Sequence, residues 1–192
     1  KERVDGASLS IKRLAGLLTD LLMLDRSQLK ISQRQTEVDG VLKSAVNAVH
    51  ELASQSGIEI EVKNQATTIF ADNDRLVQVI VNFLSNAIKF SPKDGRVTVQ
   101  TLEQDGWFEC RVSDQGRGIP EEFRKTIFEP FTQVDAKDAT TKKGTGLGLT
   151  ISRSIVEQHG GTIGVDSEVG KGTSFWFKIP ASNLEKTSLK NS

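Results

Sequence analysis

The stretch Asn82-Phe-Leu-Ser-Asn86-Ala-Ile-Lys89-Phe90 sets two amides and an ammonium at steps of four and three residues. Groups so spaced lie on one side of a helix, where they could together hold an anion or a hydrated cation. They end a segment running from Asp74 in which Leu76, Val79, Ile80, Phe83, Leu84, Ala87 and Ile88 recur at helical spacing. At about 100° per residue, Gln78, Asn82, Ser85, Asn86 and Lys89 share an arc of about 100° on an otherwise apolar helix. A buried amide without a partner costs roughly 1–3 kcal/mol, so this stripe needs partners. Two readings stay open: amides satisfied by nearby backbone, or the floor of a binding site.

Two further stretches bear on that choice. Asp114-Gln-Gly116-Arg-Gly118 follows directly on a strand-like run, Glu109–Ser113. A carboxylate at a strand end beside two glycines can accept a hydrogen bond from an exocyclic amine while the backbone approaches a flat ligand. The same letters also make ordinary turns. Lys142-Lys-Gly144-Thr-Gly146-Leu-Gly148-Leu-Thr-Ile151 has glycine at every second position as it enters an apolar helix. Free N–H groups and the positive helix end then point at one place, which is a seat for phosphate. The spacing is neither that of a P-loop nor Gly-x-Gly-x-x-Gly, and no strand precedes it, so a dinucleotide fold is not expected.

The elements that must position these groups can be read in order. Residues 7–26 carry Ile11, Leu14, Leu18 and Leu21 with Leu17, Leu22 and Leu24 alongside, a stripe wider than one packed helix needs. The expectation is a helical arm that associates with another chain. After an extended piece at Lys30–Thr36, Asp39 is the expected N-cap of an amphipathic helix ended by Gly57. Ile58–Val62 and Thr67–Ala71 read as strands, and Asp72 opens the polar-striped helix. Arg96–Leu102 and Trp107–Val112 form a hairpin around Asp105-Gly106. A short helix begins at Ile119-Pro120, a longer one spans Gly146–His159, and Thr162–Asp166 with Thr173–Ile179 make a second hairpin. The alternation predicts an α+β, two-layer sandwich: one mixed sheet covered by helices on one face. The expected divisions are an arm at 1–36, a binding domain at 37–181 and a disordered tail at 182–192.

Lysine plus arginine equals aspartate plus glutamate at 25 each, which gives no reason to expect nucleic acid or an acidic membrane surface as partner. No apolar run reaches the roughly 20 residues of a membrane span, and no signal peptide is visible. One cysteine, Cys110, provides neither a disulfide framework nor a metal cluster. A cytoplasmic setting is expected. The sole methionine is Met23, so the first residue, Lys1, reads as a cut point.

Asn82–Phe90, Asp114–Gly118, Phe128-Glu-Pro-Phe131 and Gly144–Leu149 stand in an order and spacing that resemble the four sequence boxes of sensor histidine kinases. The resemblance runs from about Ala7 to Pro180. It implies a Bergerat fold, ATP and Mg²⁺ as cofactors, and transfer of the γ-phosphate to a histidine. It also implies a response-regulator receiver domain as onward partner, and a homodimer formed through a helical bundle. By position, Asn86 would ligate Mg²⁺, with Asn82 and Lys89 on the phosphate side. Asp114 would receive the adenine amino group, with Gly116, Gly118 and Ile119 letting the base in. Gly144, Thr145, Gly146, Leu147, Gly148 and Leu149 would hold the phosphates. Thr132–Lys143 would form a mobile lid, Phe131 would be among the cofactor-binding residues, and Lys142 or Lys143 would supply the lid cation because Thr140 stands where an arginine is common. Phe128 and Phe131 would be either core anchors or a docking surface.

His50 copies the opening letters of the family's acceptor motif, but Ala53 stands where a basic residue is expected and the position follows the arm. The acceptor helix is therefore expected outside these residues. Two alternatives keep the fold but change the role: a regulatory module that binds ATP without transfer, or an ATPase clamp. The clamp would need a water-activating glutamate where Asp74 and Arg75 stand.

Overall fold

Asp72 starts the helix that carries the polar stripe: its Oδ1 accepts the Arg75 N–H at 3.2 Å, capping a donor the helix cannot satisfy itself. In the computed structural model, which describes residues 30–132, 134 and 146–182, this helix (α2) runs Asn73–Phe90. All seven apolar residues of its predicted core face are buried. The arm, the tail beyond Ser182 and most of the expected lid lie outside the described residues.

The other elements are β1 (Arg34–Glu37), α1 (Val38–Ser56), β2 (Glu59–Asn64), β3 (Thr68–Ala71), β4 (Arg96–Gln104), β5 (Trp107–Asp114), α3 (Glu121–Arg124), α4 (Gly148–Gln158), β6 (Thr162–Glu168) and β7 (Gly172–Pro180). Five strands form a sheet in the order β2-β4-β5-β7-β6. β2 pairs parallel to β4, and every other pairing in that sheet is antiparallel. Alternation decides which face is covered. Val97 and Val99 of β4, Phe108, Cys110 and Val112 of β5, and Phe175, Phe177 and Ile179 of β7 all enter one core with the helices. Their neighbours on the other face include a charged cluster, in which Arg111 pairs with Glu109 and Asp166 while Lys178 also reaches Glu109, beside Trp107 and Trp176. Helix α2 lies between α1 and α4 and over β5.

The sandwich is as expected, with three local corrections. Asp39 is not the cap of α1. The N-cap is Glu37, which makes no side-chain cap bond, and Asp39 sits in the first turn, where its Oδ1 accepts from Asn64 Nδ2 at 2.6 Å. The strands also do not all join one sheet: β3 pairs antiparallel with β1 as a separate ribbon. The buried Thr36 hydroxyl donates to the Ala71 carbonyl across it at 2.9 Å, so the edge of β3 is taken. Finally, the helix expected from Gly146 begins at Gly148, because Gly146 has φ +72°, outside the helical region. Ala181 is buried and bonded on both sides, donating to Gly106 and accepting from Phe70.

His159, at the end of α4, is a structural histidine. Its Nε2 accepts the Asp72 N–H at 3.0 Å and its Nδ1 lies 2.8 Å from the Ile155 carbonyl, which makes Nδ1 the protonated nitrogen of a neutral ring. Burial lowers its pKa below 6.5, opposed by the Ile155 carbonyl and by Asp72. The unfolded chain then binds the proton more readily than the folded one, so this contribution is full above pH 6.5 and is lost as pH falls. The melting temperature is expected to drop between about pH 7.5 and about pH 5.5. His159→Phe should melt lower at the upper end of that range but with a flatter slope; equal slopes would refute the assignment.

Candidate functional site

A cavity of about 580 Å³ opens between α2, the start of α4 and the loop after β5. Every member of the predicted stripe, Gln78, Asn82, Ser85, Asn86 and Lys89, lines it. Helical spacing puts them there, since the face opposite is held in the core by Phe83, Leu84, Ala87 and Ile88. The two open readings of the amides now separate. Asn82 Nδ2 donates to Ser152 Oγ at 2.9 Å, on α4. Asn86 is half-buried, and among the described residues its side chain has no hydrogen-bond partner. Asn86 is therefore the amide offered to the cavity.

Asp114 stands at the opposite wall, at the end of β5. Its Oδ1 accepts the Gly116 N–H at 2.8 Å and the Thr173 N–H at 3.3 Å. Burial raises its carboxyl above 3.8, and those two N–H bonds pull the other way. One oxygen is thus fixed by backbone, which aims the carboxylate and leaves Oδ2 for a donor in the cavity. Gly118 and Ile119 line the wall beside it, while Gly116 packs behind, against the Phe90 carbonyl.

The third wall is the entry to α4, where Gly146, Gly148 and Leu149 line the cavity and Leu147 is fully buried beneath it. Gly148 is there for space: a Cβ would collide with the Asn82 amide oxygen, with Asn82 Cγ at 2.9 Å. Only glycine lets the first turn of α4, with its unsatisfied N–H groups, come against the polar stripe. Phe128 is a core residue, 7% exposed and edge-on to the Phe175 ring at 6.3 Å. Phe131 is 62% exposed at φ +60°, and its N–H donates to the Gly146 carbonyl at 3.0 Å. Phe131 does not line the cavity. Lys142, Lys143, Gly144 and Thr145 lie outside the described residues.

Several lining residues were not picked out from the sequence: Arg117, Ile127, Ser152, Thr173 and Phe175. Thr173 reaches Asp114 because β5 and β7 pair with Asp114 opposite Thr173. A register between strands so far apart in the chain has no local signal.

The described residues hold no group of three or more metal-binding acids, histidines or cysteines. Among the described residues, what faces the cavity includes the Asn86 amide without a hydrogen-bond partner, the Lys89 ammonium, glycine N–H groups at a helix start, and a carboxylate aimed from the far side. That set suits a ligand with an anionic end and an amino-bearing planar end. Residues 71–183 match the model of the histidine kinase-, DNA gyrase B- and HSP90-like ATPases. The chain belongs to this family. Within it, the sensor protein IrlS of Burkholderia pseudomallei is 35% identical over 88% of this chain and 37% of its own length. The crystal structure of full-length ShkA in complex with AMPPNP superposes with a TM-score of 0.82 at 32% identity, covering 93% of this chain and 38% of that one. The catalytic domain of histidine kinase ThkA gives 0.69 at 27%, over 79% of this chain and 97% of that domain. The chain thus carries the ATP-binding catalytic domain of sensor histidine kinases and spans well under half the length of IrlS and ShkA.

Proposed function

We propose that this chain binds Mg²⁺-ATP in the cavity and passes the γ-phosphoryl group to a histidine, from which a response-regulator receiver domain takes it. The observation that carries the reading is the Asn86 amide, without a hydrogen-bond partner among the described residues, facing a helix start across from a backbone-aimed Asp114. Asp114 Oδ2 would accept from the adenine amino group, a contact guanine cannot offer because it presents a carbonyl oxygen there. Asn82 and Lys89, with the N–H groups at Gly146 and Gly148, would hold the phosphates.

The Asn86 side-chain oxygen suits Mg²⁺, a hard cation that keeps several waters and is commonly held by few protein ligands plus substrate phosphates. Held by Asn86, the ion would supply charge neutralisation to the phosphates. The residues' own task is positioning, which supplies most of the rate in phosphoryl transfer. Homodimerisation through the arm at 7–26 and a cytoplasmic setting belong to the same proposal. Among the described residues no helix is long and apolar enough to cross a membrane.

Neither histidine of the chain fits the acceptor role. His159 is buried with both ring nitrogens engaged, and His50 lies on the exposed side of α1 and not on the cavity. The chain is therefore expected not to label itself with [γ-³²P]ATP, and to label an added acceptor-helix domain in trans with acid-labile, alkali-stable phosphate. Asn86→Ala should lose that transfer, together with the Mg²⁺ dependence of ATP binding in calorimetry. Strong self-labelling abolished by His50→Ala would overturn the acceptor assignment.

A further inference from the structure

Ser167 stands one residue from the end of β6 and does not line the cavity, yet it is bonded to the wall that Asp114 belongs to. Strand register sets it opposite Thr173 on β7, and the two hydroxyls meet at 2.9 Å. Its Oγ donates to the Gly172 carbonyl at 2.9 Å and accepts the Ile119 N–H at 2.8 Å. A serine hydroxyl has one hydrogen and two lone pairs. With its hydrogen on Gly172, Ser167 takes Ile119 and Thr173 as donors, and all three places are filled.

Both donors come from residues of that wall. Ile119 is buried and lines the cavity beside Gly118. Thr173 also lines it and donates its N–H to Asp114 Oδ1 at 3.3 Å. The β6–β7 turn holds the same loop at two further points. The Gly170 N–H donates to the Arg117 carbonyl at 2.8 Å, and Gly118 lies so close that a Cβ on it would strike the Glu168 carbonyl. The loop after β5 thus takes its shape from the β6–β7 hairpin, and a single atom, Ser167 Oγ, bonds both to that loop and to β7.

We infer that Ser167 is a positioning residue for base recognition. Its hydroxyl holds Ile119 against the strand that carries Thr173, and so sets the width of the slot in which Asp114 meets the adenine amine. The inference rests on the base assignment made above and adds to it a residue outside the cavity, which acts through Ile119 and Thr173 and touches no ligand itself. Loss of the hydroxyl removes the acceptor that the Ile119 N–H and the Thr173 hydroxyl share, and the two walls are then free to part.

The test is calorimetry on the whole chain with Mg²⁺, titrating ATP, GTP, ADP and adenosine into the unaltered protein, Ser167→Ala, Ser167→Val and Ser167→Thr. Valine and threonine have nearly the same shape and both suit a strand, so that pair isolates the hydroxyl if the alanine variant folds poorly. Ser167→Ala and Ser167→Val should weaken ATP, ADP and adenosine by one common factor, roughly three- to tenfold for a neutral hydrogen bond. The preference for ATP over GTP should narrow in both, and Ser167→Thr should keep affinity and preference near those of the unaltered protein. A general loss of stability would not change that preference, and an effect at the phosphate end would not lower adenosine affinity. Three results overturn the inference while the nucleotide reading stands: ATP and adenosine affinities within about twofold of the unaltered protein with the preference intact, a loss confined to ATP and ADP, or a Ser167→Thr variant as weak as Ser167→Val. No ATP binding by the unaltered chain, or equal binding of ATP and GTP, overturns the base assignment and this inference with it.

Discussion

Asp114→Asn is expected to weaken ATP binding by about 1.5–3 kcal/mol, the range for a hydrogen bond to a charged group, or roughly 10- to 150-fold. The amide keeps an oxygen for the Gly116 and Thr173 N–H groups, so the loop has no reason to move. What changes is the other end of the group, where an acceptor becomes a donor facing the adenine amine. Two companion readouts follow from the environment. Burial raises the carboxyl of Asp114, so in the unaltered chain ATP affinity should decline on acidification sooner than for an ordinary aspartate. In Asp114→Asn that contribution disappears. Removing a charge whose burial disfavours folding should also leave the melting temperature of the unliganded protein undiminished. Equal affinity of the unaltered chain for ATP and GTP would defeat the base-recognition assignment, as would normal ATP binding by Asp114→Asn.

Phe83→Ala should be the most damaging single change to stability, at about 3–5 kcal/mol. The ring is fully buried and lies against two aromatics of β7, with centroids 5.4 Å from Phe175 and 6.2 Å from Phe177. Its neighbour Asn82 faces the cavity, so the residue locks the rotation of α2 about its axis as well as filling space. Folded domains hold roughly 5–15 kcal/mol in all, so the variant would sit near the edge of folding. Urea unfolding measures this; a loss below about 1 kcal/mol, far under the usual cost of such a truncation, would show that the site repacks freely.

Much of this was legible because one helix does two jobs. The period of Leu76, Val79, Ile80, Phe83, Leu84, Ala87 and Ile88 dictates burial, and the same period forces Gln78, Asn82, Ser85, Asn86 and Lys89 onto the remaining arc, where the cavity lies. Glycines likewise spoke plainly: Gly57 caps α1, and the chain turns at Gly160 where the sequence stops α4. What escaped were relations between distant segments. The Thr173 contact to Asp114 and the Ser152 contact to Asn82 depend on strand register and helix docking. The diversion of β3 to β1 depends on which edge is free, which four residues of sequence do not encode. Asp39 failed as a cap for a smaller reason: its carboxylate is engaged by Asn64 across space, a competitor that the local pattern cannot reveal.

The stripe on α2 also decides where this protein can change length. One residue inserted between Asn82 and Lys89 would turn everything after it by about 100° and advance it about 1.5 Å. Lys89 would swing off the cavity and part of the apolar face would swing into it, so a single codon gained or lost would cost the site and the core together. The Asp105-Gly106 turn is held more loosely: its Gly106 carbonyl accepts the Ala181 N–H, but nothing lies within 4 Å of where a Gly106 side chain would begin. Related chains should therefore vary more in length at that hairpin than in their α2 segments.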